Sequence, residues 1–450
     1  MGISLRLFRI GLYEEHLEEA AFLYSQCGAL AQRADMAWTR LGDFEDRLEA
    51  HLDALMVGGE LALEVCQRRA QEGDEGELFA AVAVFCRHAE ASLLATVLRD
   101  LDYSNPKRVQ AVRDALKTGL PEVWQEPCLR AIGRGQGELV SLLGTVIGYR
   151  RIPGAEVLLP PLARAASPEQ RVLLWAAGRT KVRGAAEAAQ PFTQAADQSV
   201  RAAALRAGLR LQSPQALSDL YVLARTSQAP PVELGLAGER SVVPALVTSL
   251  DASEASGDVV MALGLLGDLS AVRPLVKMLA HETLGQAAAQ ALHVITGAPL
   301  FGDVQVLEQP SEQELFEHEL REYRQTGALP RRADGSPFGE TVRELSRDPQ
   351  LWNGWLQANA GAFSAERRYR LGRVYGPRLL LQGLVSEVYP KPYRGLAGEE
   401  LLIRYGVDVP LEVDMPVACQ MRLLREAAGQ VAQVEQRVEP GRWYVAGRLV

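Results

Sequence analysis

Seven glycines, Gly119, Gly148, Gly178, Gly208, Gly238, Gly267 and Gly297, follow one another at steps of 29 or 30 residues. A period in that range marks stacked supersecondary units, none of which can bury its apolar face without a neighbour. The two copies in residues 238–297 align best. Pro244-Ala245-Leu246-Val247-Thr248-Ser249-Leu250 is echoed by Pro274-Leu275-Val276-Lys277-Met278-Leu279-Ala280, and each is followed by a small-residue segment that ends in glycine.

Apolar spacing inside each unit is helical rather than alternating, so a unit accommodates two helices of about ten residues with a turn between them. The glycine is predicted to end the second helix as a left-handed cap, and the proline to sit in the first turn of the next, where no amide donor is lost. Ala176, Ala177, Ala203, Ala204, Ala262, Ala288 and Ala289 would let neighbouring helices approach closely. The pattern resembles the short HEAT-like repeat. The expected fold class is therefore all-α: an α-solenoid of HEAT-like helix pairs, with an N-terminal helical region and a mostly helical C-terminal cap region. The boundaries are 1–104 for the N-terminal region, 105–297 for the repeat array, 298–337 for a linker with one charged helix, and 338–450 for the C-terminal region.

The 450 residues exceed what one compact core accommodates, although a solenoid escapes that limit by growing lengthwise. A formal charge of -8 argues against a nucleic-acid or anionic-membrane partner, both of which require a basic footprint. Five cysteines lie far apart, without a CxxC pair, and read as reduced thiols in a cytoplasmic protein. Residues 1–11 lack the apolar core and cleavage site of a signal peptide, and no apolar run reaches the length of a membrane span.

Along the chain, residues 12–30 and 43–69 read as amphipathic helices, the second interrupted at Gly58-Gly59. Residues 78–98 are apolar almost all round and should be buried. Ser104-Asn105-Pro106 reads as a turn and helix cap. The turns at 133–137 and 226–231 are longer than the others. Residues 298–310 read as irregular, 311–324 as a charged helix, 325–337 as a polar linker, 412–436 as a helix and 442–450 as a short strand-like end. The C-terminal region is expected to cover the exposed apolar face of the last repeat.

No catalytic, cofactor-binding or metal-ligating residue is expected. His318-Glu319 begins like a zinc-protease helix, but no histidine follows one turn on. His88-Ala89-Glu90 followed by Pro127-Cys128 lacks the second cysteine of a zinc deaminase. Gly133, Gly135 and Gly137 have neither a preceding strand nor a following lysine-serine pair, so they punctuate helices rather than cradle phosphate. The candidate partner-binding residues are Trp352, Trp355, Arg367, Arg368 and Arg370, because tryptophan and arginine are enriched at interaction hot spots. A second reading of the same residues stands beside this one: tryptophans in a domain core with arginines around it.

Three segments resemble a proteobacterial family of HEAT-like repeat proteins, some of whose members are encoded near type VI secretion genes. They are residues 12–23 with 41–55, Ile295-Thr296-Gly297, and 352–355 with 367–373. The resemblance implies a cytoplasmic accessory role, as co-adaptor or chaperone for a secretion effector or its adaptor, and brings no catalytic residues. The expectation is a non-catalytic protein-binding scaffold. The alternatives are an immunity protein that sequesters a toxin, and a HEAT-like enzyme of the bilin lyase or DNA-glycosylase kind.

Overall fold

The first helix opens at Ser4, whose side chain accepts a hydrogen bond from the Leu7 amide and so satisfies a donor that every helix start leaves open. In this computed structural model, which describes residues 4–33, 36–135, 137–251, 255–307, 315–331 and 335–450, α1 (Leu5–Gln32) thus begins earlier than expected. It buries Leu17, Ala20, Ala21 and Leu23. α2 (Leu41–Val57) and α3 (Gly59–Glu72) part at Gly58, as the glycine pair predicts. The apolar stretch 78–98 divides at Ala89, in the left-handed region with φ 56°, into α4 (Glu75–His88), buried as expected from Gly76 to Cys86, and α5 (Ala91–Asp100), in which only Leu94 is buried, against expectation. α4 is opened by a reciprocal cap between Asp74 and Glu77.

Asn105 caps α6 (Pro106–Gly119) by accepting from the amides of Lys107 and Arg108. The chain continues through α7 (Glu122–Arg134), α8 (Glu138–Arg150), α9 (Ser167–Thr180), α10 (Ala185–Ala189), α11 (Gln198–Arg210), α12 (Pro214–Arg225), α13 (Pro231–Ala237), α14 (Val243–Leu250), α15 (Gly257–Leu266), α16 (Val272–Met278) and α17 (Gly285–Thr296). Helices α4, α6, α8, α9, α11, α13, α15 and α17 pack in that order, each against the next. The elements between them include the 3-10 segments Ala155–Leu158, Pro160–Ala163 and Gln190–Gln194.

The periodic glycines are of two kinds. Gly267 and Gly297 are left-handed caps of α15 and α17, with φ 67° and 69°; Gly238 follows α13 and Gly119 ends α6. Gly148, Gly178 and Gly208 lie inside the last turns of α8, α9 and α11, which corrects the expectation of a glycine beyond every helix end. The reason is steric. A Cβ on Gly148 would stand 2.8 Å from Ala176 Cα, and one on Gly178 would stand 2.9 Å from Ala207 Cα. Gly235 meets Ala262 Cα in the same way at 2.8 Å. Successive helices approach too closely for a side chain.

Residues after α17 depart further from expectation. The segment read as irregular is β1 (Phe301–Leu307), which pairs antiparallel with β2 (Gly339–Leu345), Phe301 opposite Leu345. Between them lies α18 (Glu317–Thr326), while residues 311–314 of the expected charged helix fall outside the described residues. α19 (Pro349–Ala358) leads to a hairpin of β3 (Tyr369–Arg370) and β4 (Arg373–Val374). Then come α20 (Pro377–Val385), α21 (Lys391–Tyr405), α22 (Val417–Glu435) and a last hairpin, β5 (Tyr444–Val445) with β6 (Arg448–Leu449). The helix expected from 412 starts at Val417, leaving residues 406–416 as an irregular strap.

Two apolar cores meet inside α11. One runs from Leu17 to Ala207; the other runs from Leu205 through α17 into the C-terminal region as far as Tyr444, and takes in Trp38 as well. The C-terminal region therefore shares a core with α11–α17 instead of covering the last repeat alone. α21 packs on α11 and α13, β3 on α17, and α22 on α2. Among the described residues no helix is long and apolar enough to cross a membrane.

Candidate functional site

Each of the successively packed helices ends in carbonyls without intrahelical partners, and the negative end of its dipole favours a cation there. α6, α8, α9 and α11 carry their own: Lys117, Arg150, Arg179 and Arg210 stand in their last turns. Some reach back one helix. Arg150 donates to the carbonyls of Lys117 and Thr118 at 3.1 Å, and Arg210 Nε donates to that of Gly178 at 3.3 Å.

α13 and α15 have no basic residue in their last turns, and the C-terminal region supplies it. Arg404 Nη2 donates to the Gly235 carbonyl at 2.8 Å. Arg368 donates to the carbonyls of Leu266 and Leu265 at 2.8 and 2.9 Å, and Arg370 Nη2 to that of Leu265 at 2.8 Å. The end of α17 is met by backbone amides instead, Leu371 to the Val294 carbonyl and Gly372 to that of Ile295.

These three arginines surround one carboxylate. Glu400 accepts from Arg370 Nη2 at 2.8 and 3.0 Å and from the Tyr375 hydroxyl at 2.6 Å, and Glu400, Arg368, Arg370 and Arg404 are all fully buried. Burial opposes the charge on Arg370, but Glu400 outweighs it and raises the guanidinium pKa. Arg368 is instead lowered to about 10 by burial and by the neighbouring Arg404 cation. Its guanidinium lies 3.5 Å from the Tyr375 ring centre and 4.3 Å from that of Trp443.

This geometry corrects the residues singled out from sequence. Arg368 and Arg370 are helix-end cations in the core, and Trp352 is fully buried, its indole N–H donating to the Ser346 carbonyl at 2.7 Å. Trp355 is half-buried and packs edge-on against Phe363; Arg367 is exposed. The five therefore do not form one surface: Arg367 is exposed, whereas Arg368, Tyr369 and Arg370 are all buried, and the bonds to the end of α15 hold the two arginines inward.

The strap makes the second charged seam. Residues 407–414, Val-Asp-Val-Pro-Leu-Glu-Val-Asp, alternate apolar and acidic positions around one proline. Val407, Val409 and Leu411 are buried. Asp408 pairs with Arg151 and Lys181, each at 2.7 Å, Glu412 with Arg179 at 2.7 Å, and Asp414 with Lys117 at 2.7 Å. Glu399, on α21, binds Arg210 at 2.6 Å and Arg179 at 3.1 Å.

Cavities flank the strap. One, of about 820 Å³, opens over α9, α11, α13 and α15; Arg179 and Arg210 stand at its strap side, and Val172, Trp175, Ala203, Arg206, Val232 and Asp258 line it. Trp175 stacks under Arg179 at 4.1 Å. Arg206 is held by Glu233 at 2.8 and 2.5 Å, and burial raises the Glu233 carboxyl pKa against that partner. A second cavity, of about 530 Å³, lies at the other end, lined by Trp38, Lys117, Tyr149, Val413, Asp414 and Gln420 among others.

Sequence reasoning missed these residues although two signals were present. Lys117, Arg150, Arg179 and Arg210 repeat with nearly the period of the glycines beside them, and the acidic alternation of 407–414 is continuous. No protein-family model matches the chain, and comparison with curated proteins and with solved structures gives no match.

Proposed function

We propose that this chain is a non-catalytic protein-binding scaffold built as a HEAT-like α-solenoid. The observation that carries the reading is the open groove of about 820 Å³ over four successive helices, with the Trp175 ring on its wall between apolar and charged groups. An aromatic anchor in a mixed groove is the arrangement that concentrates binding energy in protein interfaces. The fully buried cluster around Glu400 directs its arginines to helix ends and to its own carboxylate, which favours binding over chemistry.

The partner is a protein, and the resemblance to HEAT-like proteins encoded near type VI secretion genes points to an effector or its adaptor, with this chain a cytoplasmic co-adaptor or chaperone. Pull-down of the full chain with the products of neighbouring genes, read by mass spectrometry, tests this. A stoichiometric adaptor or effector whose capture is lost in Trp175→Ala supports the scaffold. A toxin inactivated on capture replaces it with the immunity reading, and capture of none of them overturns both.

A further inference from the structure

The strap is the chain's own demonstration of what the ends of α6, α8 and α9 recognise. Val407, Val409 and Leu411 enter the interior, while the acids meet cations at the ends of three helices: Asp414 on Lys117 of α6, Asp408 on Arg151 just past α8 and Lys181 just past α9, and Glu412 on Arg179 of α9. The strap has no helix or strand of its own, so its seat depends on these side chains. Nor does it fill the space along that seam. The larger cavity begins at Arg179 and Arg210, and the smaller one at Lys117 and Asp414, so unfilled volume continues past both ends.

We propose that the strap is an internal surrogate, and that the seam receives an extended partner segment of alternating acidic and apolar residues, which displaces the strap and reaches into the flanking cavities. The inference rests on the scaffold reading and specifies the chemistry of its partner. Charge complementarity selects this occupant: a basic or purely apolar segment would leave Arg151 and Lys181 without a carboxylate and would take one of two from Lys117 and Arg179. A partially exposed charged interface of this kind is screened by salt and tuned by single charges.

The test uses a fluorescein-labelled peptide of residues 406–415, Gly-Val-Asp-Val-Pro-Leu-Glu-Val-Asp-Met, titrated by anisotropy into the full chain. The wild type, with its strap seated, should bind weakly. The variant Asp408→Asn/Glu412→Gln/Asp414→Asn should bind roughly tenfold more tightly, an advantage that falls with added salt and with Lys181→Glu. A peptide of the same composition with its acids grouped together should lose most of the affinity. If the triple variant does not fold, Asp414→Asn serves, since its carboxylate is 56% exposed. A folded strap variant that binds no better than wild type, or equal binding of the regrouped peptide, overturns the proposal. Neighbour-product capture by wild type and strap variant alike, with no peptide binding, removes this inference and leaves the scaffold reading intact. Failure of capture with both chains removes the scaffold reading itself.

Discussion

Arg210 and Glu399 are 189 residues apart in the chain and 2.6 Å apart in space. The pair fastens the end of α11 to α21 at the place where the two apolar cores meet, and Arg179 joins it from the preceding helix at 3.1 Å. A buried carboxylate with two arginines is stable only while all three are charged.

Acid should therefore loosen this junction. Burial would by itself raise the Glu399 pKa, but Arg210, Arg179 and Arg206 outweigh it and hold the carboxyl at about 2, against a usual 4.5. The depressed value stabilises the fold fully above about pH 4.5, and that contribution, on the order of 3 kcal/mol, is lost as pH falls toward 2. Urea melts of wild type and Glu399→Gln at pH 7, 4 and 3 should converge as the acid limit is approached. Parallel pH profiles would remove Glu399 as the cause.

Arg368→Glu should damage stability, because it places a second carboxylate beside Glu400 and removes one of the two cations that meet the end of α15. Breaking one partner of a buried ionic cluster costs about 3–5 kcal/mol. Arg367→Glu, at an exposed position, should stay within about 0.5 kcal/mol of wild type. Equal melting midpoints for the two variants would contradict the inward orientation of Arg368.

Glycine substitutions should separate the two uses of that residue. Gly178→Ala forces a methyl against Ala207 Cα at 2.9 Å and should cost about 1–3 kcal/mol by overpacking. Gly133→Ala, inside α7 with nothing within 4 Å, should instead stabilise by about 0.5–1 kcal/mol. Chemical denaturation of both variants checks the pair, and a gain at position 178 would mean that α9 and α11 are not in close contact.

The five thiols are free, and burial sets their reactivity. It pushes Cys66 and Cys86 up to about 12 and Cys128 to about 11, while Cys27 reaches about 11 through burial with a contribution from Glu45. At pH 8 these four carry little thiolate, so iodoacetamide should modify the native chain slowly at them and first at Cys419. Denatured protein should take up five equivalents without reductant. Rapid native labelling of Cys66 or Cys86 would show that their helices open.

Local chemistry alone determined much of this protein. The caps at Asn105, Gly267 and Gly297 and the break at Gly58 follow from backbone donors, acceptors and allowed dihedrals within a few residues, and those are written in the chain. The glycine period was equally legible as a period. Its meaning at Gly148 and Gly178 was not, because a steric requirement for a neighbouring backbone and a requirement for a left-handed cap both select glycine. Strand β1 escaped notice since its partner β2 lies beyond another helix, and pairing, not local preference, makes it a strand. Only the tertiary structure decided that Arg368, Arg370 and Arg404 are interior residues. An arginine is ordinarily solvated, and what holds these three inside is a set of carbonyls at the ends of α13 and α15 more than a hundred residues away, for which no local pattern stands in.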